Sequence, residues 1–133
     1  MSQTVCVMPQ NHPLAALKVV DVQDLRGVPM ILLGRSRATR REMDELFWRS
    51  GIEPKVRVEA HSVASACGLV ASGIGVSLVN EMMAADFSDL PIQTRPLAQS
   101  LPNYFAFATP SRGQPTVAAA NFIKTAVEVL GEI

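Results

Sequence analysis

Short uninterrupted apolar runs alternate along this chain with apolar stripes spaced three and four residues apart, the pattern of buried strands joined by amphipathic helices. The clearest unit is Gly68 to Asn80, GLVASGIGVSLVN, in which a helix ends, turns and becomes a strand within a few residues. Gly73 closes the helix, Gly75 lets the backbone approach its neighbours, and Val76 to Val79 read as a strand covered on both faces.

The same alternation runs through the rest of the chain. Val5 to Met8 is a strand stopped by Pro9, followed by a turn at Asn11, His12 and Pro13, with His12 structural. Asp21 caps a helical turn over Val22 to Leu25, and Met30 to Leu33 form a second buried strand behind Pro29. Thr39 and Glu42 have the spacing of a capping box and predict a helix from Arg40, with Met43, Leu46 and Phe47 on its buried face and Gly51 at its end. Val56 and Val58 alternate with charged residues, as a strand with one covered face would. Ser62 caps a helix whose stripe is Val63, Ala66, Cys67 and Val70. Asn80 caps a short turn through Met82 and Met83, and a loop then leads to Ile92. Tyr104 to Ala108 reads as a strand, Ser111 to Pro115 as a linker, and Thr116 to Leu130 as a helix with Phe122, Ile123, Ala126, Val129 and Leu130 on its apolar side. The order of elements predicts an α/β fold with a mostly parallel sheet and right-handed crossovers.

At 133 residues and 48% hydrophobic content the chain is long enough for one real core. Twelve basic and twelve acidic residues cancel, so the chain lacks the charge excess of a nucleic-acid-binding domain. Cys6 and Cys67 sit in apolar segments outside any C-x-x-C pair and read as buried, inert thiols. No segment has the length and apolarity of a membrane helix, and no leader pattern opens the chain, so a cytoplasmic location is the default expectation. No nucleophile elbow, phosphate-binding loop, paired carboxylates or metal-ligand spacing occurs, so the chain reads as neither an enzyme nor a cofactor protein.

The opening VCVMPQNHPLA, the Asp24-Leu25 turn, the Pro29-led strand, the charged helix from Arg40 to Ser50 and the segment from Leu69 to Val76 follow one another as in the effector-binding domain of LysR-type transcriptional regulators. The chain resembles that family over nearly its whole length. The resemblance implies one lobe of a two-lobed, periplasmic-binding-protein-like (type II) domain: residues 1–11 a strand crossing the hinge, 12–109 the distal lobe, and 110–133 a linker and helix returning to the proximal lobe. It implies further that the chain is a fragment, that DNA is met only through an N-terminal winged helix-turn-helix outside it, and that the regulator is a homo-oligomer. The family's strand after Gly-x-Gly-Val usually ends at proline, whereas this one ends at Asn80 and Glu81, as in some regulators of opine and amino-acid catabolism.

Candidate site residues follow partly from chemistry and partly from the resemblance. Arg35, Arg37, Arg40 and Arg41 place four guanidinium groups within seven residues, after a strand and at a helix start, a setting that suits an effector's carboxylate. Of these, Arg35 with Ser36 occupies the loop at the strand's carboxyl end, where open α/β sheets hold ligands. Arg40 and Arg41, inside the helix, read as a solvated charged face. His61 occupies the equivalent loop one unit later, where the family often faces its effector. Met8 at the hinge strand and Asn80 with Met82 at the third strand end complete the rim that the resemblance implies. The expected ligand is a small anionic metabolite such as an amino acid, an opine or a carboxylate. Two other readings remain: an association module, with Trp48 as an interface anchor, and a solute-binding protein for transport. Leaving the last helix's apolar side in water costs ~1.5 to 3 kcal/mol for each large side chain, so that helix is expected to fold over its own sheet or to dock on another chain.

Overall fold

The computed structural model describes residues 1–104, 106, 108 and 112–131. Its strands are β1 (Ser2–Pro9), β2 (Pro29–Leu33), β3 (Lys55–Ala60), β4 (Val76–Asn80), β5 (Ile92–Pro96) and β6 (Pro102–Asn103). Its α-helices are α1 (Ala38–Arg49), α2 (Val63–Ala71), α3 (Glu81–Ala84) and α4 (Val117–Gly131), with short 3-10 turns at Pro13–Ala16, Val22–Leu25 and Ala85–Phe87. The strands lie in the order β3-β2-β4-β1-β5, and β6 pairs with the start of β1.

The parallel block implied by the βαβ order is present in β3, β2 and β4. β1 runs against it, antiparallel to both β4 and β5, so the sheet is mixed. The long connection from β1 to β2, through two 3-10 turns, leaves the direction of β1 free, which is why the order of elements alone does not reveal it.

Alternating side chains divide the core in two across the sheet. Met43, Leu46 and Phe47 of α1 pack on Cys6, Met8, Met30, Leu32, Val76 and Leu78. Val63, Ala66, Cys67 and Val70 of α2 pack on the other face against Val5, Val7, Ile31, Leu33 and Val79. The two cysteines are thus on opposite faces, and burial pushes the Cys6 thiol up to about 12 and raises that of Cys67. Val56 and Val58 do not share a face as expected. The β2–β3 register slips past Arg57 between Met30 and Ile31, which turns Val56 towards the α1 side and Val58 towards the α2 side.

Local signals account for most element ends. Asp21, Ser62 and Asn80 accept from the N–H groups of Gln23, Ser65 and Met83 as N-caps, and His12 Nδ1 accepts from Leu14 N–H. Gly51 and Gly73 close α1 and α2 at φ of 69° and 82°, each followed by an N–H bonded back to a carbonyl five residues earlier, Ile52 to Phe47 and Ile74 to Leu69. The Thr39–Glu42 capping box does not form. Arg37 N–H bonds to the Gly34 carbonyl and turns the chain early, so α1 starts at Ala38 with Arg37 at its N-cap, no side-chain cap and Thr39 already inside the first turn.

Arg40 is also not a solvated residue. It is one turn before Met43 and two before Phe47, on the buried face, and is 3% exposed. Its guanidinium donates to the Leu33 carbonyl at 2.8 Å, to Asp44 at 2.9 Å and to Glu59 at 3.2 Å. Arg41, by contrast, is exposed, as is Trp48 at 82%.

The helix over Val117–Gly131 does not fold over the sheet. Both sheet faces are already covered, and α4 has no buried residue; Ile123, Ala126 and Leu130 are half-buried, whereas Val129 and Phe122 are exposed. The strand expected over Tyr104 to Ala108 has Phe105 and Phe107 outside the described residues, and Tyr104, Ala106 and Ala108 belong to no paired strand. The pairing strand is instead Pro102–Asn103, beside Ser2 and Gln3. The expected lobe boundary at 109–110 and Ser111 of the linker also lie outside the described residues.

Candidate functional site

The carboxyl ends of β2, β3 and β4 lie side by side at one edge of the sheet. Between β2 and β4 the ladder is short, with Met30 opposite Val76 and Ile31 opposite Ser77. Ser77, fully buried, then donates its hydroxyl to the Ile31 carbonyl at 2.6 Å, and no further pairs join the two strands on the way to Leu33 and Asn80. Helix α1 leaves β2 towards one face and α2 covers the other, so this fork is the point where an α/β sheet opens a crevice.

A cavity of about 230 Å³ occupies the fork. Leu33, Val63, Val79, Met43 and Met83 supply its apolar walls, and Arg37, Thr39, Asn80, Asn103, Tyr104 and Thr4 its polar rim. Arg37 is the cation among the described lining residues, and none of them is a carboxylate. Its Nη2 donates to the His61 carbonyl at 2.6 Å, which holds the side chain across the gap between the β2 and β3 ends. The first-turn N–H groups of α1 have no side-chain cap, so partial positive charge also collects here. Asn80 is 8% exposed; its Oδ1 accepts from Ser2 Oγ and from Met83 N–H, and its Nδ2 donates to none of the described residues. Three sources of anion recognition therefore converge on one cavity: a guanidinium, an uncapped helix start and an amide N–H₂.

A second cavity, of about 260 Å³, lies beside β5 and is lined by Val5, Glu81, Ala84, Ala85, Ser88, Ile92 and Thr94. It is slightly larger but has a carboxylate and no cation, and it is off the fork. The chemistry favours the first.

The expected residues are distributed unevenly around this geometry. Asn80 lines the cavity. Arg35, Ser36 and His61 stand at the same edge but outside the lining; Arg35 is largely exposed and paired through Nε with Glu59 at 3.1 Å, and His61 contributes its backbone carbonyl rather than its imidazole. Met82 is half-buried beside the rim, with its N–H towards Ser2 Oγ at 3.4 Å, and Met83 lines the wall in its place. Met8 is not at this edge. Because β1 is antiparallel to β4, its start meets the rim, with Thr4 opposite Asn80, while Met8 lies beyond the Val7–Ser77 pair at the other end and is fully buried. Arg37 belongs to the arginine cluster that the sequence already marks as a carboxylate site, whereas Thr39, one residue past the true helix start, reads from sequence only as a cap. Thr4 and Asn103, joined by an Asn103 Nδ2 to Thr4 Oγ1 bond of 3.0 Å, carried no local signal, since only strand pairing brings them here.

The model of the LysR substrate binding domain matches residues 1–131. The chain belongs to that family. Among curated relatives it is 37% identical over 98 residues to the transcriptional activator protein LysR of Escherichia coli K12, covering 74% of this chain and 32% of that protein. It is 27% identical over 128 residues to the regulatory protein NocR of Agrobacterium tumefaciens T37, covering 96% and 43%. The chain thus spans less than half the length of these relatives. Among solved structures, HinK, a LysR family transcriptional regulator from Pseudomonas aeruginosa, matches with a TM-score of 0.79 at 26% identity, over 98% of this chain and 46% of that one. The effector-binding domain of QuiR in complex with shikimate matches with a TM-score of 0.76 at 22% identity, over 96% and 61%, which shows the shared fold. The chain is therefore part of a LysR-type substrate-binding domain, in a family of transcriptional regulators rather than of enzymes. No helix among the described residues is long and apolar enough to cross a membrane.

Proposed function

We propose that this chain is the sensory part of a LysR-type regulator and that the β2–β4 crevice holds the anionic end of a small metabolite, an amino acid, an opine or another carboxylate. The observation that carries this reading is the convergence of Arg37, the uncapped start of α1 and the Asn80 amide on a cavity without a carboxylate. A carboxylate there meets a charge-assisted donor from the exposed Arg37 beside backbone and amide donors, all at one apolar-walled cavity. The QuiR structure, whose ligand is shikimate, and a BenM structure with its effector benzoate support the same ligand chemistry in relatives of this fold. Arg35, Ser36, His61 and Met82 are assigned to the outer rim, where they meet the part of the effector that extends from the cavity.

In the whole regulator, binding energy at this crevice favours one arrangement of two lobes. That preference passes through a homo-oligomer to DNA held by a winged helix-turn-helix. The half-buried side of α4 is assigned to contact with the second lobe.

Isothermal titration of the chain with shikimate, benzoate and a panel of amino acids tests the site. At least one carboxylate binds the wild type, and Arg37→Ala weakens it about tenfold or more, the loss of one charge-assisted contact. Arg35→Ala and His61→Ala weaken it less. Equal affinity in the wild type and Arg37→Ala would remove the crevice as the effector site.

A further inference from the structure

We propose that Asn80 is a two-sided coupling residue, its amide nitrogen meeting the effector while its amide oxygen holds the start of β1. The inference rests on the crevice reading above and adds the residue through which occupancy is passed on.

Asn80 is at once the last residue of β4, the N-cap of α3 and the partner of Thr4 in the β1–β4 ladder. Its Oδ1 accepts from Ser2 Oγ and from Met83 N–H, each at 3.2 Å. The Ser2 oxygen in turn accepts from Met82 N–H at 3.4 Å. A backbone N–H only donates, so the bond from Met83 fixes which end of the amide is oxygen and leaves Nδ2, which has no partner among the described residues, as the end of the amide available to a ligand in the cavity that Asn80 lines. An amide is planar, so a ligand that orients Nδ2 also orients Oδ1. Ser2, on the far side of that oxygen, is the first residue of β1 and is paired with Asn103 of β6. Effector contact at Nδ2 therefore tightens the junction of β1, β4 and α3, a route from ligand to the opening strand that passes through one side chain.

Two substitutions separate the two ends. Asn80→Asp keeps an oxygen for Met83 N–H and Ser2 and is an equally good N-cap, but presents a carboxylate oxygen where Nδ2 stood. Ser2→Ala leaves Nδ2 in place and cuts the link to β1. The probe is formate, the smallest carboxylate, titrated into the isotope-labelled chain and followed by amide NMR shifts and hydrogen exchange. In the wild type, formate moves the Ala38 and Thr39 amides and the Asn80 side-chain resonances and slows exchange at Met82 and Met83 together. In Asn80→Asp, formate affinity falls about tenfold or more with the fold retained. In Ser2→Ala, affinity stays and the slowing is confined to Met83. Equal formate affinity in Asn80→Asp overturns the assignment of Nδ2, and slowing at Met82 that persists in Ser2→Ala overturns the link to β1. A wild-type chain whose Ala38 and Thr39 amides ignore formate overturns the crevice reading itself.

Discussion

Replacing Gly75 by alanine is expected to destabilise the fold by about 3 kcal/mol, the upper part of the range for overpacking a well-filled interior. A Cβ at this position falls inside contact distance of the Pro29 carbonyl oxygen and 2.8 Å from its carbonyl carbon. The neighbour is backbone, at the point where β4 enters the sheet beside β2, so no rotamer change relieves the clash. Two other glycines calibrate the effect. Gly73 has φ of 82° but nothing within 4 Å of a built Cβ, so alanine there costs the left-handed backbone penalty of about 1 to 2 kcal/mol. Gly68, exposed in α2 with open space around it, is expected to gain about 0.5 to 1 kcal/mol as alanine. Urea unfolding of the three variants tests the order, and a Gly75→Ala chain as stable as wild type would show that the two strands do not approach as described.

The second large effect is at Arg40, where methionine is expected to cost about 2 kcal/mol. Arg40 neutralises Glu59 and Asp44 and supplies a side-chain donor to the Leu33 carbonyl, the last of β2. Breaking a fully buried ion pair costs more, about 3 to 5 kcal/mol. Here Glu59 and Asp44 are 42% and 45% exposed, so both regain water when Arg40 is lost. What remains is the loss of the side-chain bond to the Leu33 carbonyl and a loosened β2 end, where the loop to Arg37 begins. Arg41→Met, on the exposed side of the same helix, stays within about 0.5 kcal/mol. Denaturant midpoints of the pair decide it: equal values for Arg40→Met and Arg41→Met would return Arg40 to the solvated face.

Arg40 also shows where sequence reasoning succeeds and where it stops. Helix stripes, N-caps and closing glycines are encoded within a few residues, so α1, α2 and their ends at Gly51 and Gly73 could be read directly. The same periodicity, extended back from Met43, puts Arg40 on the buried face, but a charged residue overrides that inference until its partners are known. Glu59 is nineteen residues away and only the parallel pairing of β2 with β3 brings it near. The site follows the same division. That the strand ends after β2, β3 and β4 share an edge follows from the βαβ order, and Asn80 was legible as a cap. The direction of β1 was not, and that direction decides that Thr4 meets the rim, with Ser2 bonded to Asn80, while Met8 lies at the opposite end. The register slip at Arg57 was equally invisible, since no residue type there marks it. The early start of α1 depends on the turn at Gly34, and it moves the site from Arg35 to Arg37.

The measurement that bears most directly on the central claim is a crystal structure of the chain with the carboxylate that binds it most tightly. The account predicts the carboxylate between β2 and β4, within hydrogen-bond distance of the Arg37 guanidinium and Asn80 Nδ2. A ligand seated instead in the cavity beside Glu81 and Thr94, or one that leaves the fork empty, would contradict it.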